Sequence, residues 1–366
     1  MRVAEIVGKW LGGGVEAVVM NYYRNIDRSK VQFDIICDSD STDIPREEIE
    51  SLGGRVIIVP PYQKVLKYHR ELKRVLKEGN YKIVHSHINT LSVFSLWAAK
   101  AAGVPVRIAH SHSTTNKKEK KRNLLKQVLR RFSRVFATHY MCCSELAGRW
   151  LFGDKAYDEG KVYLLRNAID LDRFGYDGAK REEKRRELGI ADGTFCVGHV
   201  GRFVDQKNHT FLLDIFNEIC KRREDSVLLL AGCGPLEQAL REKTARLGLE
   251  GKVRFLGQRS DVNELYLVFD AFVMPSLYEG LTVVGIEAQA SGNLCFFSDE
   301  MTEKTKVTDH ASFLSLSDGA EKWAKSVLEG AEKYVRRDSS EAIRESGYDI
   351  KTEASKLQDY YFGAAD

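Results

Sequence analysis

Short β-branched runs alternate along the whole chain with stretches whose apolar residues recur at helical spacing. In the first half VAEIV leads into VEAVVMNYYRNI; FDIIC follows, then RVIIV with VLKYHRELKRVLKEG, KIVHSH with LSVFSLWAAKAAG, and VRIAH. Apolar runs of strand length feeding segments of period 3.6 predict parallel strands joined by helical crossovers, an α/β sheet wrapped by helices. The alternation pauses over residues 167–184, where NAIDLDRFGYDGAKREEK is polar and irregular, and resumes at FCVGHVG. FCVGHV, NHTFLLDIFNEICKRR, SVLLLAG, PLEQALREKTARLG, VRFLG, DAFVMPS, TVVGIEAQASG and LCFFS then repeat the scheme. The pattern predicts two doubly wound, Rossmann-like domains, residues 1–175 and 185–345. Ligand is expected in a central cleft outside the C-terminal ends of their strands.

Length and composition agree with that division. A chain of 366 residues exceeds what a single core supports, and 43% hydrophobic with 30% charged residues is ordinary for a globular protein. No apolar run approaches the roughly 20 residues that span a bilayer. The opening MRVAEIVGKWLGGG turns glycine-rich too soon for a signal-peptide core and reads as a first strand, so a cytoplasmic protein is expected. Seven cysteines, odd in number, mostly within apolar runs and without C-x-x-C spacing, are expected to be buried reduced thiols.

The most specific stretch is PSLYEGLTVVGIEAQASG, residues 275–292. A strand runs into a loop bearing Glu279 and Gly280, and a helix is expected to begin near Thr282. Helix starts offer unpaired N–H groups and partial positive charge, so a diphosphate can dock on the backbone of Gly280, Leu281, Thr282 and Val283. Glu279 before the helix and Glu287 within it then flank that phosphate site, one able to bind a sugar's hydroxyls and the other a ribose. Either glutamate alone reads as a helix cap or a surface residue; the whole strand, loop and helix favour function. A second stretch, GRFVDQKNH, puts Arg202 and Lys207 after a strand, where two cations can neutralise a pyrophosphate leaving group.

The E-x7-E spacing of Glu279 and Glu287, inside P-S-x-x-E-G and E-A-x-A-x-G, resembles the signature of glycosyltransferase family 4, nearest to bacterial capsule and exopolysaccharide enzymes. That resemblance extends over nearly the whole chain. It implies a GT-B fold and retaining hexosyl transfer from a nucleotide-sugar donor, UDP being the commonest base, to a glycan or lipid-linked glycan. The proton of the acceptor passes to the leaving phosphate oxygen. It assigns Glu279 to the donor sugar, Glu287 to the ribose, and Arg202 and Lys207 to the diphosphate, so that neither metal nor other cofactor is required. It also sets His112 beside the transferred sugar, His85 and His87 nearby on the acceptor side, and Gly13 and Gly14 of the GGG loop facing the donor phosphate. In this fold the last helix, residues 348–366, crosses back to the first domain. Thr282 departs from the proline that many members carry at the helix start; threonine is tolerated there.

The residues themselves also bear on other chemistries. The GGG loop lacks the G-x-G-x-x-G spacing of dinucleotide folds, which disfavours a dehydrogenase. The D-x-D triplets at 38–40 and 170–172 sit where aspartates make turns. His85-Ser-His87 and His110-Ser-His112 place paired imidazoles on one strand face each, which gives a metal-dependent hydrolase as the rival reading; it lacks visible acidic partners, and packing alone accounts for His110. A non-catalytic, membrane-docked partner of a transferase is the other alternative, disfavoured by the retained Glu279, Arg202 and Lys207.

Residues 117–134, KKEKKRNLLKQVLRRFSR, carry nine Lys or Arg against one Glu in a chain of net charge +4. Leu124, Leu125, Val128, Leu129 and Phe132 recur at helical spacing. Either this basic helix packs its apolar stripe inward, or it contacts anionic lipid on the inner face of the cell membrane. Nucleic acid is not expected, because no aromatic side chains interleave the charges.

Overall fold

The computed structural model describes residues 1–113 and 120–366, with side chains throughout except at 120–123. The chain divides into two compact units, Met1–Ala168 together with Asp349–Asp366, and Ile169–Tyr348. The division at Ala168 falls at the start of the polar pause at 167–184, ahead of the expected domain limits of 175 and 185. That pause is not a linker: it forms the helix Gly178–Glu187 of the second unit. Arg181 Nη1 donates to the carbonyls of Leu267, Val268 and Phe269 at 2.6 to 3.2 Å, and Arg185 Nη1 donates to that of Val268 at 3.0 Å. The charged residues that make the stretch look irregular satisfy the carbonyls at the end of a neighbouring helix.

The first unit is built on β1 (Arg2–Gly8), β2 (Gln32–Asp38), β3 (Arg55–Val59), β4 (Ile83–Ser86), β5 (Val106–Ser111), β6 (His139–Cys142) and β7 (Val162–Leu164), all parallel, in the order β3-β2-β1-β4-β5-β6-β7. The direction of winding reverses between β1 and β4, where an open α/β sheet leaves its crevice. The terminal helix Ile350–Ala365 belongs to this unit. In the second unit β8 (Phe195–Val200), β9 (Ser226–Ala231), β10 (Val253–Gly257), β11 (Ala271–Met274), β12 (Leu294–Ser298) and β13 (Ala311–Leu314) pair in the order β10-β9-β8-β11-β12-β13, with reversal between β8 and β11.

The central strands are buried along their whole length, as parallel sheets covered on both faces demand. Phe195, Val197, Leu228, Leu230 and Val273 join Phe216 and Trp323 in the second core. Gly198 is needed there, since a β-carbon at its place would lie 2.1 Å from the Phe269 ring. Among the described residues no helix is long and apolar enough to cross a membrane. All seven cysteines are free; Cys233, in the turn after β9, is exposed and departs from the expectation of buried thiols because that turn leaves the sheet for the surface.

Candidate active site

At the reversal point of the second sheet, the loops after β8 and β11 lie side by side and are stitched together by hydrogen bonds to backbone carbonyls. Leu277 N donates to Gln206 O at 2.8 Å, Gln206 Nε2 to Tyr278 O at 3.1 Å, and Asn208 Nδ2 to Pro275 O at 3.1 Å. Asn208 takes the left-handed conformation that the turn requires, φ 53°, which asparagine tolerates. Lys207 Nζ thereby reaches Glu279 Oε1 at 2.8 Å, with both side chains mostly buried. Arg202 is exposed on the same loop and has no carboxylate partner among the described residues. Gly232 and Gly234, after β9, complete the floor: a β-carbon on Gly232 would lie 2.1 Å from Gly201 O, and one on Gly234 2.5 Å from Phe203 O. The sequence reading missed these two glycines and the tethers Gln206 and Asn208, although G-x-G directly after an apolar strand is a visible cue.

The helix Val283–Ala290 starts one residue later than expected. Thr282 is its N-cap, in extended conformation, and its side chain makes no capping bond. The first-turn N–H groups are therefore left without a side-chain acceptor, while Gly280 has open space around its α-carbon. A cation pair, an uncapped helix start and an uncrowded glycine together suit a diphosphate. Glu287 lies in the second turn, nearly buried, and accepts a hydrogen bond from Tyr266 Oη at 3.0 Å. Burial pushes its carboxyl up to about 7, against the lowering effects of Tyr266 and Arg173.

In the first unit both H-x-H pairs converge. Parallel pairing of β1, β4 and β5 sets Glu5 beside His85 and His85 beside Ile108, so that imidazoles from two strand ends stack above the reversal point. His87 Nε2 lies 2.7 Å from Glu5 Oε2, and His87 Nδ1 lies 2.9 Å from His112 Nε2. His85 Nδ1 is 2.6 Å from Tyr361 Oη and His85 Nε2 is 3.0 Å from His110 Nδ1, while Tyr361 Oη donates to Glu5 Oε1 at 2.9 Å. Desolvation holds all four imidazoles below the usual histidine range, His87 at about 3, and raises Glu5 to about 8. The ring nitrogens of His85, His87 and His110 come within 4.8 Å of one another, a spacing that suits a metal ion. As they stand those nitrogens bond mostly to one another and to Glu5 and Tyr361.

Two expectations change here. The histidine pairs do have an acidic partner, Glu5, hidden in the apolar strand VAEIV. His85 and His87, expected on the acceptor side, are 1% and 5% exposed and support His112 from behind rather than face solvent. His112 is partly exposed; its backbone N–H donates to Asn89 Oδ1 at 2.7 Å. Gly13 is the N-cap of the helix Gly14–Asn25, and the loop's amide edge is already engaged: Glu16 Oε1 accepts from Leu11 N at 2.9 Å, a carboxylate where an anion was expected. Open space remains beside Gly14.

Of the basic segment, Lys117 and Lys118 lie outside the described residues, as do the side chains of Lys120, Lys121 and Arg122. The helix Lys120–Arg130 exposes Leu124 (69%) and Val128 (50%) and buries Leu129. Of its apolar stripe, Leu129 packs inward and Leu124, Leu125 and Val128 stay exposed.

Comparison with known proteins completes the assignment. A model described as Glycosyltransferase Family 4 matches residues 12–173, and one described as Glycosyl transferases group 1 matches residues 180–348. The Bacillus subtilis strain 168 protein bearing the name glycosyltransferase EpsF is 39% identical over 98% of this chain and 96% of its own length. An Escherichia coli protein named UDP-Gal:alpha-D-GlcNAc-diphosphoundecaprenol alpha-1,3-galactosyltransferase is 25% identical over 82% of this chain and 79% of its own. In fold the chain matches Anabaena HepE, crystallised with UDP-glucose, at a TM-score of 0.80 and 18% identity, covering 99% of this chain and 100% of that one. With each half matched by a model of these transferases and a relative aligned almost end to end, the chain belongs to glycosyltransferase family 4, with the GT-B fold.

Proposed function

We propose that the protein is a retaining, metal-independent hexosyltransferase that takes a hexose from a UDP-sugar and passes it to a hydroxyl of a polysaccharide or lipid-linked oligosaccharide precursor. The observation that carries this reading is the strand-end arrangement of the second unit, where Lys207, paired with Glu279, and the exposed Arg202 stand beside an uncapped helix start. Arg202, Lys207 and the N–H groups near Val283 stabilise the charge that develops on the leaving diphosphate, the part a divalent cation plays elsewhere. Glu279 orients the sugar's hydroxyls and holds Lys207, and Glu287 binds the ribose. His112 addresses the reacting sugar. Among the described residues no carboxylate stands out as a covalent nucleophile, so transfer proceeds on one face, and the leaving phosphate oxygen accepts the acceptor's proton.

The names of the relatives support the donor and acceptor classes: HepE was crystallised with UDP-glucose, and the E. coli relative uses a galactosyl donor and an undecaprenol-linked acceptor. The exposed apolar stripe on the helix Lys120–Arg130, set in a basic segment, supports work at the inner face of a membrane. A thermal-shift panel of nucleotide sugars, with and without EDTA, tests the reading. A donor at about 100 times its Kd stabilises by about 2.7 kcal/mol. Stabilisation by a UDP-hexose, unchanged by EDTA, is the expected result; no response to any nucleotide sugar, or one that vanishes with EDTA, overturns it. Product anomeric configuration by NMR decides retention.

A further inference from the structure

The hydrogen bonds behind His112 form a chain in which each link needs one proton, so fixing one proton fixes the rest. Tyr361 Oη donates to Glu5 Oε1, which leaves Glu5 Oε2 to meet His87 Nε2. If Glu5 is the neutral acid, Oε2–H donates to His87 Nε2, His87 Nδ1–H donates to His112 Nε2, and the proton of His112 must sit on Nδ1. If Glu5 is a carboxylate, every one of these bonds reverses: His87 Nε2–H points at Glu5, His112 Nε2–H points at His87, and Nδ1 of His112 carries only a lone pair. The branch on the other side is consistent with the acid form, with His85 Nδ1–H donating to Tyr361 Oη, His110 Nδ1–H donating to His85 Nε2, and only the lone pair of His110 Nε2 left buried without a partner. That assignment leaves no buried charge and no orphaned N–H.

We propose that Glu5 and His87 are positioning residues: as a neutral acid, Glu5 fixes through His87 the tautomer of His112, so that His112 presents Nδ1–H as a hydrogen-bond donor toward an oxygen of the reacting sugar. No described residue bonds to that nitrogen. The inference rests on the reading of His112 as a substrate-facing group, but the chain itself lies wholly within the first unit. The surroundings keep Glu5 neutral. His85 and His87 face it from the end of β4, with His110 and His112 at the end of β5 behind them, and Tyr361 faces it from the terminal helix. β2 sets Ile35 beside it, and Tyr22 of the helix Gly14–Asn25 is spent on the carbonyl of Arg166. Neither lysine nor arginine among the described residues pairs with it. Burial raises Glu5 to about 8, so the direction of the chain is set for donation at neutral pH and reverses in mild alkali.

Glu5→Gln is the decisive variant, because its amide oxygen accepts from Tyr361 while its N–H donates to His87, copying the acid form and removing its titration. Histidine ring 15N spectra of the labelled full chain distinguish protonated from bare nitrogens. At pH 7 the parent is expected to show His112 protonated at Nδ1, changing to Nε2 by pH 9.5 together with His87; Glu5→Gln is expected to keep Nδ1–H at both. Nε2–H on His112 at pH 7 in the parent overturns the proposal without reference to any variant, as does an alkaline change in Glu5→Gln that copies the parent. In transfer assays kcat of the parent should fall tenfold or more by pH 9.5, with KM for donor unchanged, and Glu5→Gln should lack that fall. If the tautomers behave as stated and no nucleotide sugar supports transfer, the functional reading fails and the chain stands; if transfer proceeds while the tautomers do not follow Glu5, the chain fails alone.

Discussion

At the reversal point of the first sheet Glu5, His85, His87, His110 and His112 share protons in a network with no net charge, Glu5 and His85 being 1% exposed. At the reversal point of the second, Arg202, Lys207 and Glu279 carry formal charges beside a helix start, Arg202 exposed and the other two mostly buried but paired with each other. The same topology thus presents two kinds of polar surface. A fully desolvated strand end keeps titratable groups only in their neutral forms, which makes it good at directing a hydrogen bond and poor at binding an anion. A strand end that leaves one cation exposed and pairs the other with a carboxylate keeps charge ready for an anion whose arrival excludes water.

Acid should break the comparison most severely. A histidine held neutral in the native state takes up a proton on unfolding below about pH 6.5, so the stability it permits is intact above that pH and is lost as pH falls toward the folded value, about 3 for His87. Each such group costs about 1.4 kcal/mol per pH unit. Burial holds His85, His87, His110 and His112 of the first unit below the usual histidine range, and His199, His209 and His310 of the second, so both units lose stability between pH 6.5 and 5 and the first, with four imidazoles in one buried network, loses more. The raised carboxyls of Glu5 and Asp38 in the first unit, and of Glu287 in the second, act in the opposite sense. They keep their protons when folded and return about 2 kcal/mol each as pH falls over the same window. The first unit still carries the larger burden, and a folded protein has only about 5 to 15 kcal/mol of total stability to lose. Calorimetry near pH 5 should resolve two transitions, the first unit melting lower. Trp10, Trp97 and Trp150 report on that unit and Trp323 on the other. A single coincident transition at every pH would refute the assignment of the burden to the histidine network.

Substitutions at the second site should give smaller, ligand-specific effects. Lys207→Ala removes a charge-assisted contact and strands Glu279, and UDP affinity should drop by about 100-fold in titration calorimetry, the equivalent of about 3 kcal/mol. Glu279→Gln frees Lys207 without removing its charge. It should leave UDP affinity within about threefold and lower kcat by about 100-fold, since the sugar loses its oriented acceptor. Glu287→Gln should weaken UDP about tenfold. Because burial holds the carboxyl of Glu287 up at about 7, UDP affinity in the parent should decline as pH falls through 7, and that decline should be absent from Glu287→Gln. Equal loss of UDP affinity in both glutamate variants would show that their roles are divided wrongly.

Much of this was legible in the chain. Alternating strand and helix periods give the two parallel sheets, and P-S-x-x-E-G with the E-x7-E spacing marks the loop after β11 because those residues are neighbours in sequence. What stayed hidden depends on distance along the chain. Glu5 meets His87 and Tyr361, 82 and 356 residues away, and nothing in VAEIV distinguishes a proton-sharing carboxyl from a strand residue at an edge. His199 and His209 are near in sequence but were hidden too, because their rings meet at 4.5 Å only once β8 and the following helix are packed. The polar pause misled in the opposite way, since Arg181 and Arg185 look like linker charges until the carbonyls they satisfy are in view.

The smallest effect concerns a third surface, the helix Lys120–Arg130, which contrasts with both strand ends in exposing apolar and basic side chains together. Leu124, Leu125, Val128, Phe132 and Val135 are each about half exposed or more, whereas Leu129 alone of the stripe turns inward. Exposed apolar residues beside lysines and arginines lose water at a lipid interface while the cations stay with anionic headgroups. The protein should therefore bind vesicles containing phosphatidylglycerol, ignore neutral ones, and leave the anionic ones in high salt, where screening shortens to about 3 Å near 1 M. Changing Leu124 and Val128 to Ser removes apolar contact and leaves every charge in place, so binding should weaken about fivefold, near 1 kcal/mol, while UDP affinity is unchanged. Equal sedimentation of this variant and the parent with anionic vesicles would reduce the stripe to a surface accident, leaving any remaining attachment to charge alone.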